Sequence, residues 1–299
     1  MFERVLFPTD FSAYANAVFA CLPELKSAGT RHVHLLAVIA TSQVPLGHSA
    51  LNEDSLARVK WSMEEHLHIA AMALEGQGLS TSTQVVYGNP AREIVRVAVE
   101  ERVDMIVMGA QGQSAFQEIL LGNTAFDVLR LSPIPVLIQK FEVVRELGKV
   151  ECRRVCGDTF RRVLHPTDFS ECSEAAFNIV KRLRAAGTEE VIVLHVQDER
   201  VMRRRPPEQL EQFDREDMAR LEHMARDLAL YHLPARVFLR HGMPFREALQ
   251  VAEQEDATVI ALSVCGRSLV DEMLVGGTFE KIVRLSRRPV LAVRCEMRT

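Results

Sequence analysis

"FERVLFPTDFS" at residues 2–12 returns as "FRRVLHPTDFS" at residues 160–170, identical in nine of eleven positions. In each copy a short run rich in Val and Leu ends in Pro-Thr-Asp. The run reads as a buried strand, and Ser12 as the N-cap of the helix that follows. Working outward, "LKSAGT" (25–30) answers "LRAAGT" (183–188), and "YGNPAREIVRVAVEE" (87–101) answers "HGMPFREALQVAEQE" (241–255). "LSPIPVLIQ" (131–139) answers "LSRRPVLAV" (285–293). The offset is 158 at the start of the repeat and 154 later, so the second copy is four residues shorter in its middle. The chain is therefore an internal duplication, with about one domain's length in each copy. The expected organisation is a domain over 1–140, a linker over 141–159 that can be part helical, and a domain over 160–299.

Within each copy, short apolar runs alternate with longer amphipathic segments. In the first, "RVLFPT", "VHLLAVI", "QVVYG", "MIVMGA" and "PVLIQ" suit buried parallel strands. Residues 12–28 and 54–76 carry helical spacing, and Trp61 is expected on the core-facing side of the second of these. Pro90 sits near a helix start, where its missing N–H has no consequence. The order β-α-β-α-β-α-β-α-β predicts an α/β fold: two tandem doubly wound domains, each a five-stranded parallel sheet flanked by helices. Ligands of such folds sit beyond the carboxyl ends of the strands, near a change in strand order.

Composition narrows the function classes. The 299 residues carry a net charge of −4. Lys and Arg number 12 against 16 Asp and Glu in residues 1–149, and 24 against 24 in residues 150–299. Neither half has the basic excess of a nucleic-acid binder. No apolar run reaches the roughly 18 residues of a membrane helix, and the start of the chain does not read as a signal peptide. A cytoplasmic location is the default expectation, with no membrane partner. The six cysteines, Cys21, Cys152, Cys156, Cys172, Cys265 and Cys295, are then expected as reduced thiols. Cys152 and Cys156 lack two further ligands at metal-site spacing. The histidines form no i, i+4 pair on a helix. No metal site is expected from these residues.

A second repeated stretch carries the chemistry. "MGAQGQSAFQEILLGNT" (108–124) answers "LSVCGRSLVDEMLVGGT" (262–278). Glycines at these points let a backbone approach a phosphate closely, and the helix opening after Gly122 offers free amides to an anion. The plainer reading is a pair of turns around a short helix over 114–121. Recurrence in both halves favours function, at least for an ancestral copy.

The stretch "GAQGQSAFQEILLGNT" resembles the G-x2-G-x9-G-[S/T] signature of the universal stress protein family. "PTDFS", "GNP", "DMIVMG" and "SPIPVLIQ" resemble that family in the same order, over nearly the whole chain. The resemblance implies an adenine nucleotide alpha hydrolase-like fold and ATP or AMP as ligand. It places Pro8, Thr9 and Asp10 along the adenosine and Val38 against the adenine. Gly109, Gln111 and Gly112 would wrap the phosphates, and Gly122, Asn123 and Thr124 would complete the cradle. Asn123 departs from the family's Ser or Thr. A second, weaker site would use Asp168, Val196, Gly266, Gly276 and Thr278. There Ser263 replaces Gly109 and Gly277 replaces Asn123, and a left-handed Gly109 would make that serine costly. Asp10 and Asp168 also have a plain reading, as caps of the next turn.

The leading expectation is a nucleotide-binding stress-response protein acting through conformation or partner binding. The alternatives are an interaction module that has lost nucleotide, and a weak ATPase. No P-loop is present, so catalysis beyond slow ATP hydrolysis is not expected. Whether Mg2+ accompanies the phosphates is left open. The apolar closing strands, 135–139 and 289–293, are expected to pair within one chain as a pseudo-dimer, with a homodimer open as a further step.

Overall fold

In the computed structural model the described residues are 1–40, 53–110, 121–146, 149–154, 158–203, 206–266 and 276–295. The chain divides into two compact units, Phe2–Leu137 with Val143–Arg153, and Arg154–Thr299 with Met1 and Ile138–Glu142.

The first repeat runs β1 (Arg4–Pro8), α1 (Ala13–Phe19), β2 (His32–Ala40), α2 (Glu53–Glu75), β3 (Ser80–Gly88), α3 (Pro90–Glu100), β4 (Met105–Gly109), α4 (Asn123–Leu131) and β5 (Val136–Gln139). Its strand order is β5-β4-β1-β2-β3. β1 pairs in parallel with β2 and β4, and β2 with β3. β5 joins through the Ile106 N–H to the Pro135 carbonyl, at 2.9 Å. The central strands are buried on both faces: Val5, Leu6, Phe7, Val33, Leu35, Ile106 and Leu137 are all within the core. Such strands have no polar alternation because helices cover both sides. The edge strand β3, with its Ser-Thr-Ser-Thr start, is half-exposed.

Local signals fix the helix starts. Ser12 Oγ accepts the Ala15 N–H at 3.2 Å, and Asn89 Oδ1 accepts the Arg92 N–H at 3.1 Å with Pro90 following. Each bond satisfies an amide that the helix cannot. Gly88 has φ +153°, and a Cβ there would lie 2.6 Å from Glu93 Cγ. Only glycine fits this corner. Gly242 repeats it, with φ +149° and a Glu247 oxygen at 2.9 Å.

Two short β-strands, β6 (Phe141–Glu146) and β7 (Lys149–Arg154), pair with each other. The linker, for which the sequence leaves part-helical structure open, is strand over Phe141–Glu146 and Lys149–Arg154.

The second repeat runs β8 (Arg162–Thr167), α5 (Glu171–Val180), β9 (Glu190–Asp198), the short α6 (Glu199–Met202), α7 (Pro207–Leu230), β10 (Ala235–Gly242), α8 (Pro244–Gln254), β11 (Val259–Ser263), α9 (Gly277–Leu285) and β12 (Val290–Val293). Its strand order, β10-β9-β8-β11-β12, is that of the first repeat, and every pair is parallel. In each sheet the chain first builds to one side of the opening strand, then to the other. The reversal falls between β1 and β4, and between β8 and β11.

Trp61 departs from expectation. α2 buries Leu67, Ala71 and Leu74, whereas Trp61 is 65% exposed. Ile69 and Met72 are exposed with it. The helix has apolar residues on more than one face, and periodicity alone does not say which face the sheet takes.

Candidate functional site

The turn after β1 is built by its own side chains. Thr9 Oγ1 accepts the Phe11 N–H at 3.0 Å, and Asp10 Oδ1 accepts the Ser12 N–H at 3.0 Å. Thr9 is held to β2 through its N–H on the Leu36 carbonyl, at 2.8 Å. These bonds bend the chain sharply and put Phe11 at φ +56°. The second repeat reproduces the side-chain bonds and the backbone angle. Thr167 and Asp168 accept the Phe169 and Ser170 amides, each at 3.0 Å, and Phe169 also has φ +56°. A left-handed phenylalanine is costly, by roughly 1–2 kcal/mol, so the turn is held by surrounding bonds. The plain reading of Asp10 and Asp168, as organisers of a turn, is therefore met. It does not exhaust them: Asp10 is exposed, Asp168 half-buried, and both stand at the carboxyl end of the central strand.

The signature begins one strand away. Gly109 ends β4, beside β1, and Val38 lies on β2, the other neighbour of β1. The Gly122 N–H reaches back to the Ala110 carbonyl at 2.7 Å. The strand end and the start of α4 are thereby closed on each other across the signature loop. Gly122 is the N-cap of α4 and supplies no side-chain bond. The first intrahelical bond runs from the Phe126 N–H to the Gly122 carbonyl. The amides of residues 123–125 are those that helix geometry leaves without an intrahelical acceptor. Asn123 and Thr124 are exposed beside them. A helix start with this arrangement attracts an anion through its amides and its dipole. Gln111, Gly112 and residues 114–120 of the short helix expected over 114–121 lie outside the described residues.

The second signature has the same frame and different lining. The Gly276 N–H meets the Val264 carbonyl at 3.0 Å, and Gly276 caps α9. Gly277 has open space where a Cβ would stand, and Thr278 is exposed. Ser263 donates its hydroxyl to the Cys265 carbonyl at 2.6 Å. A Cβ on Gly266 would lie 2.7 Å from Asp168 Oδ2, so glycine is needed there for close approach to a carboxylate. Serine in place of this glycine would be costly only if Gly109 were left-handed, and it is not: Gly109 is an ordinary strand end, outside the positive-φ glycines found among the described residues. Backbone strain therefore does not penalise serine at position 263. What separates the two signatures is side-chain chemistry.

Beside the second turn lies a cleft of about 380 Å3, lined by Thr167, Phe169, Glu174, Arg220, His223 and Met224 among others. Phe169 packs against the His195 ring at 4.4 Å between centroids, and the Arg220 guanidinium lies 5.3 Å from the Phe169 ring. His195 Nδ1 bonds the Thr167 carbonyl at 2.8 Å. In the first repeat the corresponding ring, Phe11, packs on His66 instead, at 5.2 Å. Val196 is half-buried on β9 next to this group. Sequence reasoning gave none of these rings a role; the identical "DFS" in both copies was the available signal.

Two further histidine environments are structural. His32 and His34 bond Ser80, Ser82 and Gln84 of β3, and burial lowers both pKa values. His165 is fully buried on β8 where the first repeat has Phe7. Burial pushes its pKa down to about 4, against a smaller upward pull from its bond to the Ala261 carbonyl. Among the described residues no group of three or more His, Cys, Asp or Glu is placed to hold a metal ion, and no helix is long and apolar enough to cross a membrane.

A sequence model of the universal stress protein family matches residues 1–140 and 159–294. A universal stress protein of Methanocaldococcus jannaschii is 29% identical over 154 residues, covering 45% of this chain and 95% of that protein. One from Thermus aquaticus is 33% identical over 141 residues, covering 46% of this chain and 98% of that protein. Each of these relatives is thus about one repeat long. The crystal structure of a universal stress protein from Archaeoglobus fulgidus is similar over 97% of this chain and 96% of its own, with a TM-score of 0.73 at 25% identity.

Proposed function

The chain belongs to the universal stress protein family, and from that premise we propose that its first repeat binds an adenine nucleotide, ATP or AMP. The protein would act through conformation or partner binding. The observation that carries this reading is the start of α4. A glycine-capped helix, without a side-chain cap, presents its first amides beside exposed Asn123 and Thr124. It stands one strand from the Pro8–Asp10 turn, at the point where strand order reverses. Gly109, having no side chain, would let a phosphate approach, and Gln111 and Gly112 would close around it. Val38 and the Pro8–Thr9 turn would hold the base and sugar.

The reading gives one competent site per chain. In the second repeat the Ser263 hydroxyl is tied to the Cys265 carbonyl, and Gly277 offers no side-chain donor in place of Asn123. Asp168, Val196, Gly266, Gly276 and Thr278 keep the frame and lose part of the lining.

The test starts from protein purified without added nucleotide. Ligand released on denaturation is identified by mass spectrometry, which separates ATP from AMP. The stripped protein is then titrated calorimetrically with each, with and without Mg2+. One site per chain is expected. Two equivalent sites would refute the one-site reading, and no binding of either nucleotide would favour an interaction module. Steady release of ADP or AMP over hours would favour a slow ATPase.

A further inference from the structure

Three thiols of the second repeat gather where its sheet ends. Cys172 is the second residue of α5, which follows β8. Cys265 lies two residues beyond β11, and Cys295 two beyond β12. β11 pairs with both β8 and β12, so the three positions fall at the same carboxyl edge. The Cys172 and Cys265 sulfurs are 2.7 Å apart, and Cys295 is near enough to Cys172 to contribute to its raised pKa. The repeat offsets match these positions to Tyr14, Gln111 and Phe141, none of which carries sulfur. The cluster thus belongs to the second repeat alone, and Cys265 stands within the altered signature.

We propose that Cys172 and Cys265 are a reversible dithiol–disulfide site, oxidised by small disulfides of the glutathione type, that staples the second signature to α5. The exposures assign the order of events. Cys265 is half-buried and Cys172 is buried. Burial, reinforced by the neighbouring thiols, raises the Cys172 pKa and keeps it protonated. The Cys265 thiolate therefore attacks first, cleaving the small disulfide, forming a mixed disulfide and releasing one small thiolate. Cys172 then gives up its proton to solvent and attacks the Cys265 sulfur, expelling the second small thiolate. The protein loses two hydrogens, and one small disulfide becomes two thiols. A bond between these sulfurs is shorter than their present separation by well under about 1 Å, within reach of small side-chain movements. The closure joins residues 93 apart and fixes the turn from which the second signature loop leaves.

The test uses the full chain in buffers of stepped reduced-to-oxidised glutathione ratio, quenched in acid, alkylated and mapped by mass spectrometry. Oxidation is expected to remove two of the six alkylatable thiols and to yield one linked peptide pair containing Cys172 and Cys265. Dithiothreitol should restore both thiols. A variant with Cys152→Ser and Cys156→Ser should form the same bridge, and Cys265→Ser should form none. Cys265→Ala controls for the effect of serine on folding. Six thiols alkylated at every ratio would overturn the proposal. So would a bridge only between Cys152 and Cys156, a Cys172–Cys295 bridge, glutathione left unresolved on Cys265, or thiols that react only after a chelator has removed a metal ion.

Discussion

The buried imidazole of His165 makes the second repeat acid-sensitive at a position where the first repeat has Phe7. An ordinary histidine takes up a proton near pH 6.5, and burial holds His165 near 4. The folded pKa is depressed, so the unfolded chain binds this proton first as pH falls. Stability attributable to the neutral ring is fully present above about pH 6.5 and is lost through about pH 4. With about 6.5 in the unfolded chain and about 4 in the folded one, the total is about 3 kcal/mol, of which roughly 2 falls between about pH 7 and about pH 4.5. The nearby Asp168 carboxylate pulls the other way, and its effect is already contained in the lowered pKa. The perturbation is His165→Phe, the residue found at the matching position, Phe7. It removes the proton site, keeps an aromatic ring beside Phe177, and leaves the Ala261 carbonyl without its imidazole partner. The variant can therefore be less stable at neutral pH, but its stability should fall less on acidification. Urea unfolding of both proteins, followed by circular dichroism across this range, reads the difference of differences. Carboxylates that titrate in the same window are shared and cancel. Parallel pH profiles for the two proteins would refute the argument.

Three other predictions rest on single contacts. Met243 occupies the N-cap of α8 at φ −84° and ψ 118° without a side-chain bond, whereas Asn89 caps α3 at nearly the same angles. Met243→Asn should add roughly 0.5–1 kcal/mol in urea unfolding, and no gain would mean the cap is already met by other donors. Gly109→Ser should fold with stability changed by less than about 1 kcal/mol, because the strand end needs no left-handed angle. Its nucleotide affinity should fall at least about tenfold by calorimetry, ~1.4 kcal/mol, and unchanged affinity would remove Gly109 from the phosphate site. Trp61, 65% exposed, should emit as a hydrated indole and be quenched readily by iodide in the native protein. A blue-shifted, protected emission would place it in an interface.

Much of the fold was written locally. The buried strands are recognisable because helices on both faces leave no place for polar alternation, and Ser12 and Pro90 announce their helices by chemistry confined to one turn. The candidate site was legible in the same way where it depends on spacing: the β1 turn and the glycine cap of α4 stand where the repeated motifs put them. What failed were inferences from a residue's type to its environment. Trp61 reads as core by its size, yet α2 presents Leu67, Ala71 and Leu74 to the sheet. Gly109 would make serine costly only if it were left-handed, and it closes a strand instead. The left-handed residues of this region are Phe11 and Phe169, which nothing in their chemistry suggests.

By itself, then, the sequence determined the duplication, the kinds and order of the elements, and the spacing of the signature, because these are properties of neighbours along the chain. The tertiary structure alone decided which side chains meet. Cys172 and Cys265 come together because β11 pairs with β8, although 93 residues separate them. For the same reason the Asp168 carboxylate faces Gly266, and the two signatures, alike in spacing, differ in what lines them. Strand order is set by the packing of whole helices on a sheet, and no local pattern encodes which distant thiol or carboxylate that order will bring to hand.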